Sequence, residues 1–198
     1  TSIKYVLDDL EKNPLLQDKY LRQLSEYVKE TDDIIKAVTS IMSRQKKQSV
    51  DLNKVAENVR ILKESELRKY NIEYEIQNVK DFKVDAVPGL LNTAVLNVVD
   101  NSIYWLRAKR NDFRQKQKDF HPKISLMFGT NQDGRKYMKI SDNGFGFEDP
   151  FELLVEPYYS RKTDGLGLGL YLVKEIMMRQ GGRVNGFNED GAVIEIIF

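Results

Sequence analysis

The chain has 198 residues, of which 41% are apolar and 31% charged, and a net charge of +1, which suits one ordinary folded domain or a domain with an appendage. The near-zero balance supplies no global field for nucleic acid or a membrane surface, and the lack of cysteine excludes disulfides and thiolate metal sites. The single histidine, His121, excludes a multi-histidine metal cluster, and no apolar run is long enough to span a bilayer. With no secretory signal pattern either, the expected location is the cytoplasm. Thr1 stands where an initiator methionine would, so the expectation is a piece of something longer.

The first elements read as helical. Ile3, Val6, Leu7 and Leu10 form an apolar stripe that ends at Asn13-Pro14, where proline disfavours helix in the preceding residue. Leu21, Leu24, Val28, Thr31, Ile35, Val38 and Met42 then alternate spacings of three and four, a heptad seam over three repeats. Tyr27, Ile34 and Ile41 recur beside it and widen the stripe towards a four-helix bundle. Residues 1–48 therefore read as a helical hairpin. The bundle reading makes the chain a homodimer through this hairpin; the alternative packs the hairpin within one chain.

The polar run Ser43–Ser49 reads as a helix end and hinge. Residues 49–198 form the expected second domain. Leu52, Val55, Ala56, Val59 and Leu62 give an amphipathic helix, with Asp51 placed to cap it. Ile72, Tyr74 and Ile76 alternate as a half-buried strand, and a short strand is expected around Phe82–Val84. An apolar helix runs from Leu90 to Arg107. Ile124–Phe128 and Lys136–Ser141 read as strands joined by Asn131-Gln132-Asp133-Gly134. A last helix from Leu168 to Arg179 stops at Gly181-Gly182. Strands Arg183–Phe187 and Ala192–Phe198 close the chain across Asp190-Gly191. The fold class is α+β: a two-layer sandwich of one mixed sheet with helices on one face, preceded by the hairpin.

Three groups of residues carry chemistry. Asn97 and Asn101 lie four apart on one helix and share a face, with Asp100 beside them. They could be inter-helix hydrogen-bonding groups, or carboxamide oxygens for Mg²⁺, a hard cation usually held together with phosphate oxygens. Asp142 closes a strand before Asn143-Gly144-Phe145-Gly146; it could start an Asx-turn, or accept a hydrogen bond from an adenine amino group at a pocket floor. Gly165-Leu166-Gly167-Leu168-Gly169 opens the last helix, and a glycine-rich helix start is a ready phosphate site.

In this order the three groups resemble the N, G1 and G2 boxes of the GHKL (Bergerat-type) ATP-binding superfamily of gyrase B, Hsp90, histidine kinases and MutL. Glu156-Pro157-Tyr158-Tyr159-Ser160-Arg161-Lys162 resembles the histidine-kinase segment before the G2 box. The resemblance covers about residues 50–198 and is strongest to sensor histidine kinases. The ATPase branches typically carry glutamate where this chain has Asn97, and asparagine has no titratable carboxylate to act as base. Thr1–Lys4 resembles the stretch after the phosphoacceptor histidine, which would place that histidine before Thr1.

The resemblance implies ATP and Mg²⁺ as cofactors and these roles. Asp142 would bind the adenine amino group, with Gly144 and Gly146 shaping that wall. Asn101, with Asn97, would hold Mg²⁺ and phosphate. Gly165, Gly167 and Gly169 would present N–H groups to phosphates, with Leu166 and Leu168 between them. Lys162 would reach the phosphates from a short lid, Glu156–Asp164, and with Asn97 would be the catalytic pair. The implied partner is a response-regulator receiver domain. An ATPase and a non-catalytic ATP-sensing scaffold are the alternatives. Tyr104 stands where kinases commonly have a phosphate-contacting lysine, which leaves that contact to Arg107 or Arg161. Leu166 replaces a small hydroxyl residue. The basic stretch Arg107–His121 reads as a solvated helix extension, with a partner or nucleic-acid contact as the minor alternative because Asp112 and Asp119 dilute its charge.

Overall fold

A computed structural model describes residues 46–77, 79–162 and 165–198, together with Lys29. The helical hairpin and dimer seam expected over residues 1–48 lie almost wholly outside the described residues. The described elements belong to the unit Met42–Phe198. In chain order they are β1 (Gln48–Asp51), α1 (Leu52–Lys69), β2 (Glu73–Ile76), β3 (Lys83–Ala86) and α2 (Pro88–Gln115). There follow β4 (Lys123–Thr130), β5 (Lys136–Asp142), α3 (Phe151–Leu154), α4 (Gly169–Arg179), β6 (Arg183–Asn188) and β7 (Ala192–Ile197).

Five strands form one mixed sheet in the order β2-β4-β5-β7-β6. β2 runs parallel to β4, and the other neighbours are antiparallel. The alternation read from sequence explains which face is covered. Ile124, Leu126 and Phe128 of β4 and Met138 and Ile140 of β5 are buried. They meet Leu91, Val95 and Val99 of α2 and Val173, Ile176 and Met177 of α4 in one core. Their neighbours along the strands carry ion pairs, Lys123 with Glu73 and Glu75, and Lys139 with Glu189. Such exposed pairs contribute about 0–1 kcal/mol each, whereas burying one leucine or isoleucine contributes about 1.5–3 kcal/mol. The helix-covered face therefore holds the two layers together.

Local signals explain the helix ends. Asp51 caps α1, its carboxylate accepting from the Asn53 N–H at 3.0 Å. Pro88 sits in the first turn of α2, where its missing N–H costs nothing. α4 ends in a Schellman arrangement: Gly182 N–H donates to Met177 O at 2.9 Å and Gly181 N–H to Met178 O at 3.0 Å. Gly181 has φ +77°, the left-handed conformation this cap requires.

Four expectations need correction. Leu62 is 66% exposed, not part of the buried face of α1. The buried stripe passes instead through Lys63, whose stem is covered while its ammonium pairs with Glu66 and Asp100, to Leu67. The supposed hinge runs into strand β1. It pairs antiparallel with β3 in a separate ribbon, so the expected strand near Phe82 does not join the main sheet. The helix extension expected over Arg107–His121 is helical as far as Gln115. Its added turns are not simply solvated. Arg107 stacks over the Tyr70 ring at 4.2 Å, Arg110 donates to Tyr70 O, and Phe113 packs on Phe120 at 5.3 Å. The short helix α3 was not expected.

Candidate nucleotide-binding site

The site is assembled where the α2 asparagines meet the start of α4. Asn97 Nδ2 donates to Thr93 O at 2.9 Å, which leaves its oxygen directed away from the helix backbone. A Cβ built on Gly169 would lie 3.3 Å from Asn97 Oδ1 and 3.8 Å from Asn101 Nδ2. Gly169 thus lets the first turn of α4 approach both carboxamides. Leu168 occupies the cap position of α4 and makes no side-chain cap bond. The N–H groups of that turn, at the positive end of the helix dipole, have no capping side chain.

Asp142 ends β5 and is only 7% exposed. Its carboxylate accepts from Ser102 Oγ at 2.6 Å and from the Gly144 N–H at 2.9 Å. Burial pushes its pKa above the usual carboxylate range; the bonds from Ser102, Gly144 and Ala192 and the Lys109 charge act in the opposite direction. The loop that follows is tied at both ends. Asn143 Nδ2 donates to His121 O at 2.8 Å, and its Oδ1 accepts from Lys123 N–H at 2.8 Å. Asn188 brackets Phe147, accepting from its N–H at 2.7 Å and donating to its carbonyl at 2.9 Å.

The connection from α3 to α4 folds back on itself. Tyr158 N–H donates to Gly167 O at 3.1 Å, and both residues have positive φ, +65° and +70°. Ser160 Oγ accepts from Lys162 N–H at 3.1 Å. Arg161 is held by Glu148 and Asp149. The Lys162 ammonium donates to Asn101 Oδ1 and lies 4.7 Å from the centre of the Tyr104 ring. Burial lowers the Lys162 pKa, and the Asp100 charge opposes that.

These groups line one cavity of about 640 Å³. Asn97, Asn101, Asp142, Gly146 and Lys162 contribute to its walls, as do all five residues from Gly165 to Gly169. Its apolar lining includes Trp105, Ile140, Phe147, Leu154, Leu170 and Ile194. Gly144 is not at the wall. A Cβ there would lie 2.7 Å from Asp142 Oδ1, so it supports that carboxylate from behind. Arg107, stacked on Tyr70, is not among the lining residues, whereas Arg161 is. Leu166 is 77% exposed at the tip of its loop. Asp100 lines the cavity with its carboxylate paired to Lys63. His121 is exposed, and its carbonyl serves Asn143.

Sequence reasoning missed Ser102, Trp105, Lys109 and Asn188. Ser102 and Trp105 had a usable signal, since each sits on the asparagine helix within four residues of Asn101. Lys109 and Asn188 had none, because their partners lie 34 to 41 residues away along the chain.

The family model described as histidine kinase-, DNA gyrase B-, and HSP90-like ATPase matches residues 86–198, more than half of the chain. The sensor histidine kinase ZraS of Salmonella typhimurium is 28% identical over 177 residues, 85% of this chain and 36% of that protein. The chain spans about a third of the length of the curated relatives it matches. Among solved structures, the catalytic domain of the histidine kinase ThkA has a TM-score of 0.62 at 24% identity, over 78% of this chain and 95% of that one. ThkA in complex with the response regulator protein TrrA gives 0.57 at 20% identity, over 100% of this chain and 56% of that one. These two likenesses show the same α/β fold. The family match, with the asparagine helix, the Asp142 loop and the glycine-rich helix start gathered in one cavity, makes the chain a member of the histidine kinase-, DNA gyrase B- and HSP90-like ATPase family.

Proposed function

We propose that this chain is the ATP-binding catalytic core of a two-component histidine kinase. It binds Mg·ATP and, in the whole protein, directs the γ-phosphoryl group to a histidine outside this segment and thence to a response-regulator aspartate. The observation that carries the reading is a buried, hydrogen-bonded Asp142 lining the same cavity as a pair of carboxamides and an uncapped glycine-rich helix start. Asp142 accepts from the adenine amino group while Trp105 and Ile140 supply apolar walls. Gly167 and Gly169 turn their N–H groups to the phosphates, while the Gly165 N–H donates to Lys162 O at 3.2 Å and shapes the loop. Asn97 offers a hard oxygen donor beside that helix start, and Asn101 offers a second once the Lys162 ammonium turns from its Oδ1 to a phosphate, which suits Mg²⁺. When bound, Mg²⁺ supplies charge neutralisation on the phosphate oxygens. The protein's own share is positioning and electrostatics, as in phosphoryl transfer generally.

Two observations favour a kinase over an ATPase. Asn97 carries no carboxylate, and the neighbouring Asp100 carboxylate is already paired with Lys63. The proposal extends to a cytoplasmic segment, dimerisation through the N-terminal hairpin and a receiver-domain partner, the last supported by the ThkA–TrrA likeness. Among the described residues no helix is long and apolar enough to cross a membrane.

Lys162 is the one cation of the lid that reaches Asn101. Lys162→Met is expected to weaken Mg·ATP binding by about tenfold, the size of one charged hydrogen bond, with little change for adenosine. Isothermal titration with both ligands checks this; equal losses for ATP and adenosine would remove Lys162 from the phosphate side. The function itself is tested by incubating the full-length protein with ATP labelled on the γ-phosphate. Acid-labile, alkali-stable label on the protein is expected. Steady phosphate release without protein labelling would favour the ATPase.

A further inference from the structure

Lys109 lies in the basic extension of α2 beyond Arg107. Its ammonium turns inward and donates to two main-chain carbonyls, Asn143 O at 2.7 Å and Gly144 O at 2.9 Å. Both belong to the loop directly after Asp142. The rings of Phe120, Phe145 and Phe113 surround it at 4.9, 5.8 and 5.7 Å from their centres. Phe113 and Phe120 pack on each other, so the extension of α2 and the segment before β4 form a fixed aromatic seat for this one cation.

We propose that Lys109 is a positioning residue for base recognition, clamping the Asn143–Gly144 main chain so that the Asp142 carboxylate is held towards the adenine amino group. The inference rests on the ATP reading of the pocket and deepens it. The chain of contacts is short. Lys109 fixes the Gly144 carbonyl; the Gly144 N–H in turn donates to Asp142 Oδ1, and Ser102 Oγ donates to Oδ2. An ammonium has three donors, and two are used on adjacent carbonyls as charge-assisted bonds, a strength that a neutral side chain does not supply. The groups facing Asp142 are Ser102 and Lys109 from α2, Gly144 from its own loop and the Ala192 N–H from β7. Lys109 is the only side-chain cation among them, and its charge also favours the ionised, purely accepting form of Asp142. The basic extension of α2 thereby acquires a function that its composition does not suggest: its outward arginines fasten the helix to Tyr70, and its inward lysine fastens the base loop.

The test compares ATP with inosine triphosphate, which lacks the amino group. Lys109→Met is expected to lose most of the preference for ATP, by about tenfold, while its affinity for inosine triphosphate stays within about twofold of the unaltered chain. Lys109→Arg, which keeps charge and donors, is expected to retain the preference. General damage to the fold weakens both nucleotides alike and leaves their ratio unchanged; that result overturns the proposal, as does an unchanged Lys109→Met. If Lys109→Met does not fold, Lys109→Ala, which also has no donor, replaces it, and an ATP preference equal to that of Lys109→Arg overturns the proposal. Failure of the unaltered chain to bind either nucleotide sinks the ATP reading itself, whereas a normal ATP preference in Lys109→Met sinks only the role of Lys109.

Discussion

Asp142→Asn is expected to weaken ATP binding by about ten- to hundredfold while leaving the melting temperature within a few degrees of the unaltered chain. The loss follows from the chemistry of the contact. A carboxylate offers two oxygens that only accept; an amide offers one acceptor and one donor, and the donor opposes the adenine amino group. A hydrogen bond to a charged group contributes about 1.5–3 kcal/mol, and 1.4 kcal/mol is a factor of ten in affinity. Stability responds differently because burial raises the Asp142 pKa. A carboxylic acid with a raised folded-state pKa binds its proton more tightly in the folded chain. Its ionised form therefore lowers stability as pH rises through that pKa, and the lower-pH, protonated form is the better tolerated one. Replacing it by a neutral isostere removes that cost while keeping an oxygen for Gly144 and a group for Ser102. Binding has the opposite pH dependence: ATP affinity falls on acidification, starting above the pH at which a surface aspartate titrates. Titration calorimetry between pH 5 and 8, with a parallel melting curve, reads both effects. An affinity unchanged in the variant would remove Asp142 from the base site.

Gly167→Ala is expected to cost at least about tenfold in Mg·ATP affinity by displacing the glycine-rich loop. Two separate effects meet at this position. The backbone is left-handed at φ +70°, which an L side chain adopts at a cost of about 1–2 kcal/mol. The added Cβ would also lie 2.4 Å from the Tyr158 carbonyl carbon and 2.6 Å from the Tyr159 nitrogen, and main chain cannot move aside as a side chain can. Gly134 separates the two effects. It has φ +76° in the β4–β5 turn, with nothing within 4 Å of an added Cβ. Gly134→Ala is expected to lower the melting temperature by about 2–6 °C and to leave nucleotide affinity unchanged. Similar ATP affinities for the two variants would show that collision with Tyr158 and Tyr159 does not set the loop position.

The sequence is most informative where a local rule has no competitor. Strict alternation in Ile124–Phe128 and Lys136–Ser141 leaves one buried face, so both strands and their hairpin are legible. Asp51 caps and Gly181 terminates because each acts on its own neighbours. Legibility fails where the deciding contact is distant. Gln48–Asp51 is polar and four residues long, and it becomes a strand only because Lys83–Ala86 lies alongside. Leu62 fits the helical period, yet the stripe is decided by Lys63 meeting Asp100 across the α1–α2 contact. The extension of α2 has a charged composition that reads as solvated; Tyr70 and the inward turn of Lys109 give it partners. The same division holds in the candidate site. Asparagine spacing on one helix and glycines at one helix start are local, and they were readable. Gly144 was readable as a site residue but not as a support behind Asp142, because that depends on how the loop closes. The residues that tie the loop, Lys109 and Asn188, belong to elements joined only by the fold.

The most direct test of the central claim is a crystal structure of this chain with Mg²⁺ and a non-hydrolysable ATP analogue. The adenine amino nitrogen is expected within about 3 Å of the Asp142 carboxylate. The β- and γ-phosphates are expected against Gly165–Gly169, and the metal at the carboxamide oxygens of Asn97 and Asn101, with the Lys162 ammonium moved from Asn101 to a phosphate. A nucleotide bound outside this cavity, or with its phosphates beside Asp142, would contradict the claim.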